Sequence, residues 1–134
     1  MSEKILVVDD EEDYLNVMML HLNKRGYEVL GASDPFQALE IIEKRGFELS
    51  ILVTDWMMPG MSGNELVRNA KKINPLIEAI VITAVGEMGL TGKMGYGAFG
   101  YLVKPLKSMK ELSLMVGQAI EKRSERESKE SFNY

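Results

Sequence analysis

The chain contains no cysteine, which excludes disulfides and thiolate metal sites outright. No apolar run approaches the roughly 18 residues that a membrane-crossing helix needs. The opening segment MSEKILVVDD carries only four apolar residues before two aspartates, too few for a secretory signal. A basic excess is also missing: the formal net charge is −4, so the chain lacks the positive face that grips a phosphate backbone. No whole unit repeats. These absences predict a cytoplasmic protein that neither touches a membrane nor binds nucleic acid directly.

What is present is ordinary for a globular domain: 134 residues, 46% hydrophobic and 27% charged, enough for one sizeable core. Short apolar runs alternate with longer amphipathic ones. Ile5–Val8 is rich in branched residues and reads as a buried strand. Residues 11–25 carry Leu15, Met18, Met19 and Leu22 at helical spacing, and Lys24, Arg25 and Gly26 form a helix ending with a left-handed glycine cap. Tyr27–Ala32 is a second strand. Asp34, Pro35 and Gln37 open a second helix with an N-cap, a first-turn proline and a capping-box partner. Its stripe is Ala38, Leu39 and Ile42, and Lys44, Arg45 and Gly46 predict the same ending as before. Ser50–Thr54 is a third strand ending at Asp55. Ser62 and Glu65 cap a helix with the stripe Leu66, Val67, Ala70 and Ile73. Ala79–Thr83 and Tyr101–Val103 are the last strands. Ser108 and Glu111 open a final helix with Leu112, Met115, Val116, Ala119 and Ile120 on one face. Strands that alternate with helices and read as continuous apolar runs predict an α/β, three-layer, doubly wound sandwich around a parallel sheet. Ligands in that architecture sit beyond the carboxyl ends of the strands. The domain is read as residues 1–122. Residues 123–134, polar up to Phe132, are read as a C-terminal helix extension or tail.

The strand ends carry the chemistry. Asp9 and Asp10 follow the first strand, Asp55 ends the third, Thr83 ends the fourth and Lys104 follows the fifth. A parallel sheet brings all five to one edge. Three carboxylates in one pocket repel one another, and a hard divalent cation such as Mg²⁺ relieves the repulsion. Lys104 and Thr83 add a positive charge and a hydroxyl donor for phosphate oxygens. Together these groups suit phosphoryl transfer to an aspartate.

Four segments, VVDD at 7–10, DWMMPGMSG at 55–63, VITA at 81–84 and YLVKP at 101–105, resemble the signature segments of response-regulator receiver domains. The resemblance covers residue 4 to about residue 122. It implies a flavodoxin-like five-stranded parallel sheet in the order 2-1-3-4-5. It also implies a two-component signalling role in a phosphorelay, with a phosphoryl group passing from a sensor histidine kinase or phosphotransfer protein to Asp55 and then a signal to a downstream effector. Mg²⁺ would be bound by Asp10 directly, by Asp9 through water, by Asp55 and by the backbone carbonyl of Met57. Thr83 and Lys104 would hold the phosphoryl oxygens. Tyr101 would be the aromatic switch that follows Thr83. Pro59 and Gly63 would shape the loop after Asp55, with Trp56 partly exposed beside the site. Such a domain catalyses its own phosphorylation and dephosphorylation and has no separate substrate.

Two other functions are weighed. A Mg²⁺-dependent phosphohydrolase with an aspartyl intermediate usually carries a second aspartate two residues after the nucleophile, where this chain has Met57. An interaction module that has lost phosphorylation would be expected to lack Asp55, Thr83 or Lys104, and all are present. The stretch Gly95–Gly100 fits GxGxxG but precedes a strand instead of following one, so it is not read as a dinucleotide site. His21, the sole histidine, is read as a half-exposed helical side chain. Six glycines, Gly86, Gly89, Gly92, Gly95, Gly97 and Gly100, lie between Thr83 and Tyr101, where a helix is expected, and Gly89, Gly92 and Gly95 recur every three residues. Glycine costs a helix about 1 kcal/mol each, so that helix is expected to be short, distorted or mobile before phosphorylation.

Overall fold

The computed structural model describes residues 3–84 and 97–132. The expectation for the glycine-rich helix falls outside the described residues. The order of elements is β1 (Lys4–Val8), α1 (Glu12–Lys24), β2 (Glu28–Ala32), α2 (Pro35–Arg45), β3 (Ile51–Asp55), α3 (Gly63–Ile73), β4 (Glu78–Ala84), β5 (Gly100–Lys104) and α4 (Met109–Phe132). All strand pairs are parallel, as the strand pattern predicts, in the order β2-β1-β3-β4-β5 that the resemblance implies. None of the described helices is long and apolar enough to cross a membrane.

Successive strand residues face opposite sides of a sheet, and here both sides are buried. Leu6, Val8, Leu52 and Val81 pack with Ala38 and Ile42 of α2 and Leu66, Val67 and Ala70 of α3. Ile5, Val7, Ile51, Val53, Ile80 and Ile82 pack with Leu15, Met18 and Leu22 of α1 and Leu112, Val116 and Ala119 of α4. This is why the strands read as unbroken apolar runs. Each fully buried aliphatic side chain of this kind contributes about 1.5–3 kcal/mol.

The caps fall where the sequence puts them. Asp34 accepts from the Phe36 and Gln37 amides, Ser62 from Glu65 and Ser108 from Lys110. Gly26 takes φ +95° after α1. Gly46 does not repeat that ending: at φ −57° it is right-handed and opens a short 3₁₀ turn, Gly46–Glu48. Its requirement is space, because a Cβ there would lie 2.9 Å from Ile73 Cγ2 at the end of α3. The final helix continues without a break from Met109 to Phe132, and Arg126 in its last third reaches Glu78 at the start of β4.

Candidate functional site

The parallel register aligns the carboxyl ends of four strands. Val8 pairs with Thr54, Asp55 with Ile82 and Ala84 with Lys104, so Asp9, Asp55, Thr83 and Lys104 meet at one edge. Asp9 and Thr83 are wholly buried, and Asp55 is 7% exposed. Lys104 Nζ lies 2.8 Å from Asp9 Oδ2, 2.8 Å from Glu11 Oε1 and 3.5 Å from Asp55 Oδ2. The Tyr14 ring supports the same ammonium with its centroid 4.5 Å away. Asp9 is fixed from its other oxygen, which accepts from the Glu11 amide at 2.9 Å.

The charges are unbalanced, with three carboxylates converging on one lysine. Burial, together with the charges of Asp9 and Asp10 and against that of Lys104, pushes the Asp55 carboxyl up to about 7. Burial likewise raises Asp9, while Lys104 pulls it back. Burial opposes the charge on Lys104, but its contacts with Asp9, Glu11 and Asp55 hold it above the usual lysine range. One oxygen each from Asp9, Glu11 and Asp55 lies within 4.8 Å of the others. An all-oxygen set with excess negative charge fits a hard divalent cation. Asp10 is exposed and stands outside that trio, and Met57 is 59% exposed in the loop after β3.

That loop turns back under Asp55. The Trp56 amide lies 2.8 Å from Ile82 O and 3.1 Å from Asp55 Oδ1, and Gly63 N donates to Trp56 O at 2.7 Å. Gly60 follows Pro59 with φ +90°, against the Phe36 ring. Trp56 departs from expectation. It is 4% exposed and belongs to the core beneath α2 and α3, because the backward turn of the loop directs its large apolar ring inward. A Cβ on Gly63 would lie 2.4 Å from the Asp55 carbonyl oxygen, which is backbone and cannot rotate aside. Gly63→Ala is therefore expected to cost about 1–3 kcal/mol by overpacking. Urea unfolding checks this, and a loss too small to measure would mean that the loop yields freely.

Thr83 donates its hydroxyl to Ala84 O at 3.3 Å. The pairing of Val81 with Tyr101 puts Tyr101 on the same sheet face as Thr83, where it packs against the α2–α3 core. Its hydroxyl is buried without a partner among the described residues, and burial raises its pKa. His21 is half-buried in α1 and bonds Ser113 of α4 at 3.1 Å. Sequence reasoning missed Glu11 and Tyr14. Their signal was position: Glu11 extends the Asp9-Asp10 run, and Tyr14 lies about one helical turn after Asp10. Tyr14 also accepts from the Leu106 amide at 3.2 Å, tying α1 to the segment after Lys104.

The profile of the response regulator receiver domain matches residues 5–116. The chain belongs to this family. It is 36% identical over 106 residues to sporulation initiation phosphotransferase F of Bacillus subtilis, covering 78% of this chain and 84% of that one. It is 36% identical over 122 residues to the sensor kinase CckA of Brucella abortus, covering 90% of this chain but 13% of the kinase. It spans about half of the Bacillus subtilis regulatory protein PhoP, 51%, at 35% identity. A solved receiver domain protein from Clostridium thermocellum superposes with a TM-score of 0.84 at 35% identity, covering 91% of this chain and 97% of that one. A CheY-like receiver from Methanospirillum hungatei gives 0.82 at 25% identity, with 94% and 99% covered. Receivers are signalling domains of two-component systems, generally bind Mg²⁺ at an acidic pocket and pair with histidine kinases and downstream effector domains.

Proposed function

We propose that this receiver works in the cytoplasm, accepts a phosphoryl group on Asp55 from a sensor histidine kinase or phosphotransfer protein and passes the signal to an effector protein or domain. The observation that carries the reading is the convergence of buried Asp55 with Asp9 and Lys104 at the carboxyl edge of the sheet. An Asp55 oxygen attacks the donor phosphorus, a P–O bond forms, and the bond to the leaving group breaks with its electron pair. Lys104 neutralises charge on the transferred oxygens, and the Thr83 hydroxyl can turn from Ala84 O to donate to one of them. Mg²⁺, when bound, supplies the positive charge that three carboxylates and a phosphoryl group require. Asp9 and Asp55 would hold it from within the trio, and Asp10 and the Met57 carbonyl would join them from outside it. Tyr101 then responds to the position of Thr83 from the same face of the sheet.

The domain acts on itself and on no separate substrate. Met57 in place of a second aspartate speaks against a phosphohydrolase. The experiment is intact-mass measurement after acetyl phosphate treatment. The parent chain should gain one phosphoryl group only with Mg²⁺ present, and Asp55→Asn should gain none.

The exposed, apolar Met57 side chain also bears on how long the phosphoryl group lasts. Hydrolysis needs a water held in line with phosphorus, and a thioether holds water poorly. Met57→Asn should speed decay of the labelled chain. One added hydrogen bond of about 1 kcal/mol corresponds to roughly fivefold. An unchanged decay rate would remove Met57 from the account.

A further inference from the structure

The contacts of Lys104 go beyond what the acceptor reading requires, and the inference drawn from them rests on that reading. An ammonium has three N–H donors. In the resting chain two short contacts, to Asp9 and Glu11, and one longer contact, to Asp55, surround Lys104 Nζ, while the Tyr14 ring also lies against it. Of these contacts the one to Glu11 is the hydrogen bond, so a phosphoryl oxygen arriving on Asp55 competes with these partners for the ammonium. Asp9 is wholly buried and pinned by the Glu11 amide. Asp55 is the residue that carries the incoming group. Glu11 differs from both: its side chain is 65% exposed, and its carboxylate can leave into water at little cost.

We propose that Glu11 is a resting-state stand-in for the phosphoryl group, a positioning residue that holds Lys104 at the edge of the site and must be displaced when Asp55 is loaded. The exchange is carboxylate for phosphoryl oxygen on the same ammonium, so Lys104 stays paired throughout. Tyr14 keeps the lysine stem in place during the exchange through its ring and through the Leu106 bond. Glu11 thereby weakens the loaded state relative to the resting one. Because the pair is largely open to solvent on the Glu11 side, the effect is modest, roughly two- to fivefold.

The probe is beryllofluoride, which binds an aspartate carboxylate as a phosphoryl mimic, titrated at Mg²⁺ concentrations where doubling the metal changes nothing. Binding is read from Trp56, the sole tryptophan, which adjoins Asp55. Glu11→Gln removes the charge. Glu11→Asp keeps the charge but is one methylene short of Lys104. Glu12→Gln removes an exposed charge one residue further on. The expected result is a roughly two- to fivefold tighter dissociation constant for both Glu11 variants and none for Glu12→Gln. Tightening in Glu11→Gln but not in Glu11→Asp would reduce the effect to bulk charge and overturn the proposal. Unchanged or weaker binding in both Glu11 variants would overturn it as well. Failure of the parent chain to bind beryllofluoride would overturn the acceptor reading too, which separates the two failures.

Discussion

Asp55→Asn is expected to lose phosphoryl uptake completely and, in metal-free buffer at pH 8, to be more stable than the parent by about 1–3 kcal/mol. Both effects have one origin. A carboxylate 7% exposed beside other acidic groups is a nucleophile only in its ionised form, and that form is a cost to the fold until a cation balances its charge. Its pKa rises from 3.8 to about 7 on folding. The folded state therefore holds the proton more tightly than the unfolded state does. Stability contributed by the protonated form is fully present below about pH 4, declines as pH rises toward 7, and is gone above that. At about 1.4 kcal/mol per pH unit the difference sets a ceiling of about 4 kcal/mol. The smaller figure expected reflects the loss of the Lys104 ion pair in the variant. Urea unfolding at pH 8 and at pH 4.5, with chelator, should show the gain at the first pH and little of it at the second. Adding Mg²⁺ should stabilise the parent by mass action, and the variant much less. A variant less stable than the parent at pH 8, or one that still acquires a phosphoryl group, would contradict the role given to this carboxylate.

The elements were legible in the sequence because each is specified locally. Ile5–Val8 and Ala79–Thr83 are apolar without interruption because both faces of the sheet are covered. The stripe Leu112, Val116 and Ala119 is buried as its spacing requires. The strand-end carboxylates and Lys104 were legible for a topological reason, since a parallel sheet delivers strand ends to one edge. What escaped depends on contacts between distant parts of the chain. Gly46 looked like a helix cap, but its need arises from Ile73 in the next helix. Trp56 looked like a rim residue because nothing local reveals that Gly63 lets α3 close against Asp55. The Glu11–Lys104 pair joins residues 93 positions apart, and the reach of a glutamate, unlike a strand end, is not set by periodicity.

Arg126→Ala is expected to destabilise the fold by about 2–4 kcal/mol, although the arginine lies beyond the segment that resembles a receiver. Glu78 opens β4 with its side chain only 5% exposed. Arg126 Nη1 meets Glu78 Oε2 at 2.6 Å, and Arg126 Nη2 donates to Pro75 O at 2.6 Å. Lys71 is the other nearby cation, at 3.9 Å from Glu78 Oε1, and it is already donating to Ile77 O. Removing the arginine would leave a buried carboxylate with one distant partner and a backbone carbonyl without its donor. Breaking a buried pair from one side costs about 3–5 kcal/mol. The lower estimate follows because the Arg126 side chain is 32% exposed, so water can enter behind it. Ending the chain at residue 122 removes the same group and should cost a similar amount, which would place the last turns of α4 inside the cooperative unit. Glu78→Gln in the Arg126→Ala background removes the stranded charge and should restore part of the loss, with the coupling read from a double-mutant cycle. Equal urea midpoints for the parent and Arg126→Ala would show that the extension lies outside that unit and that water satisfies Glu78 without it.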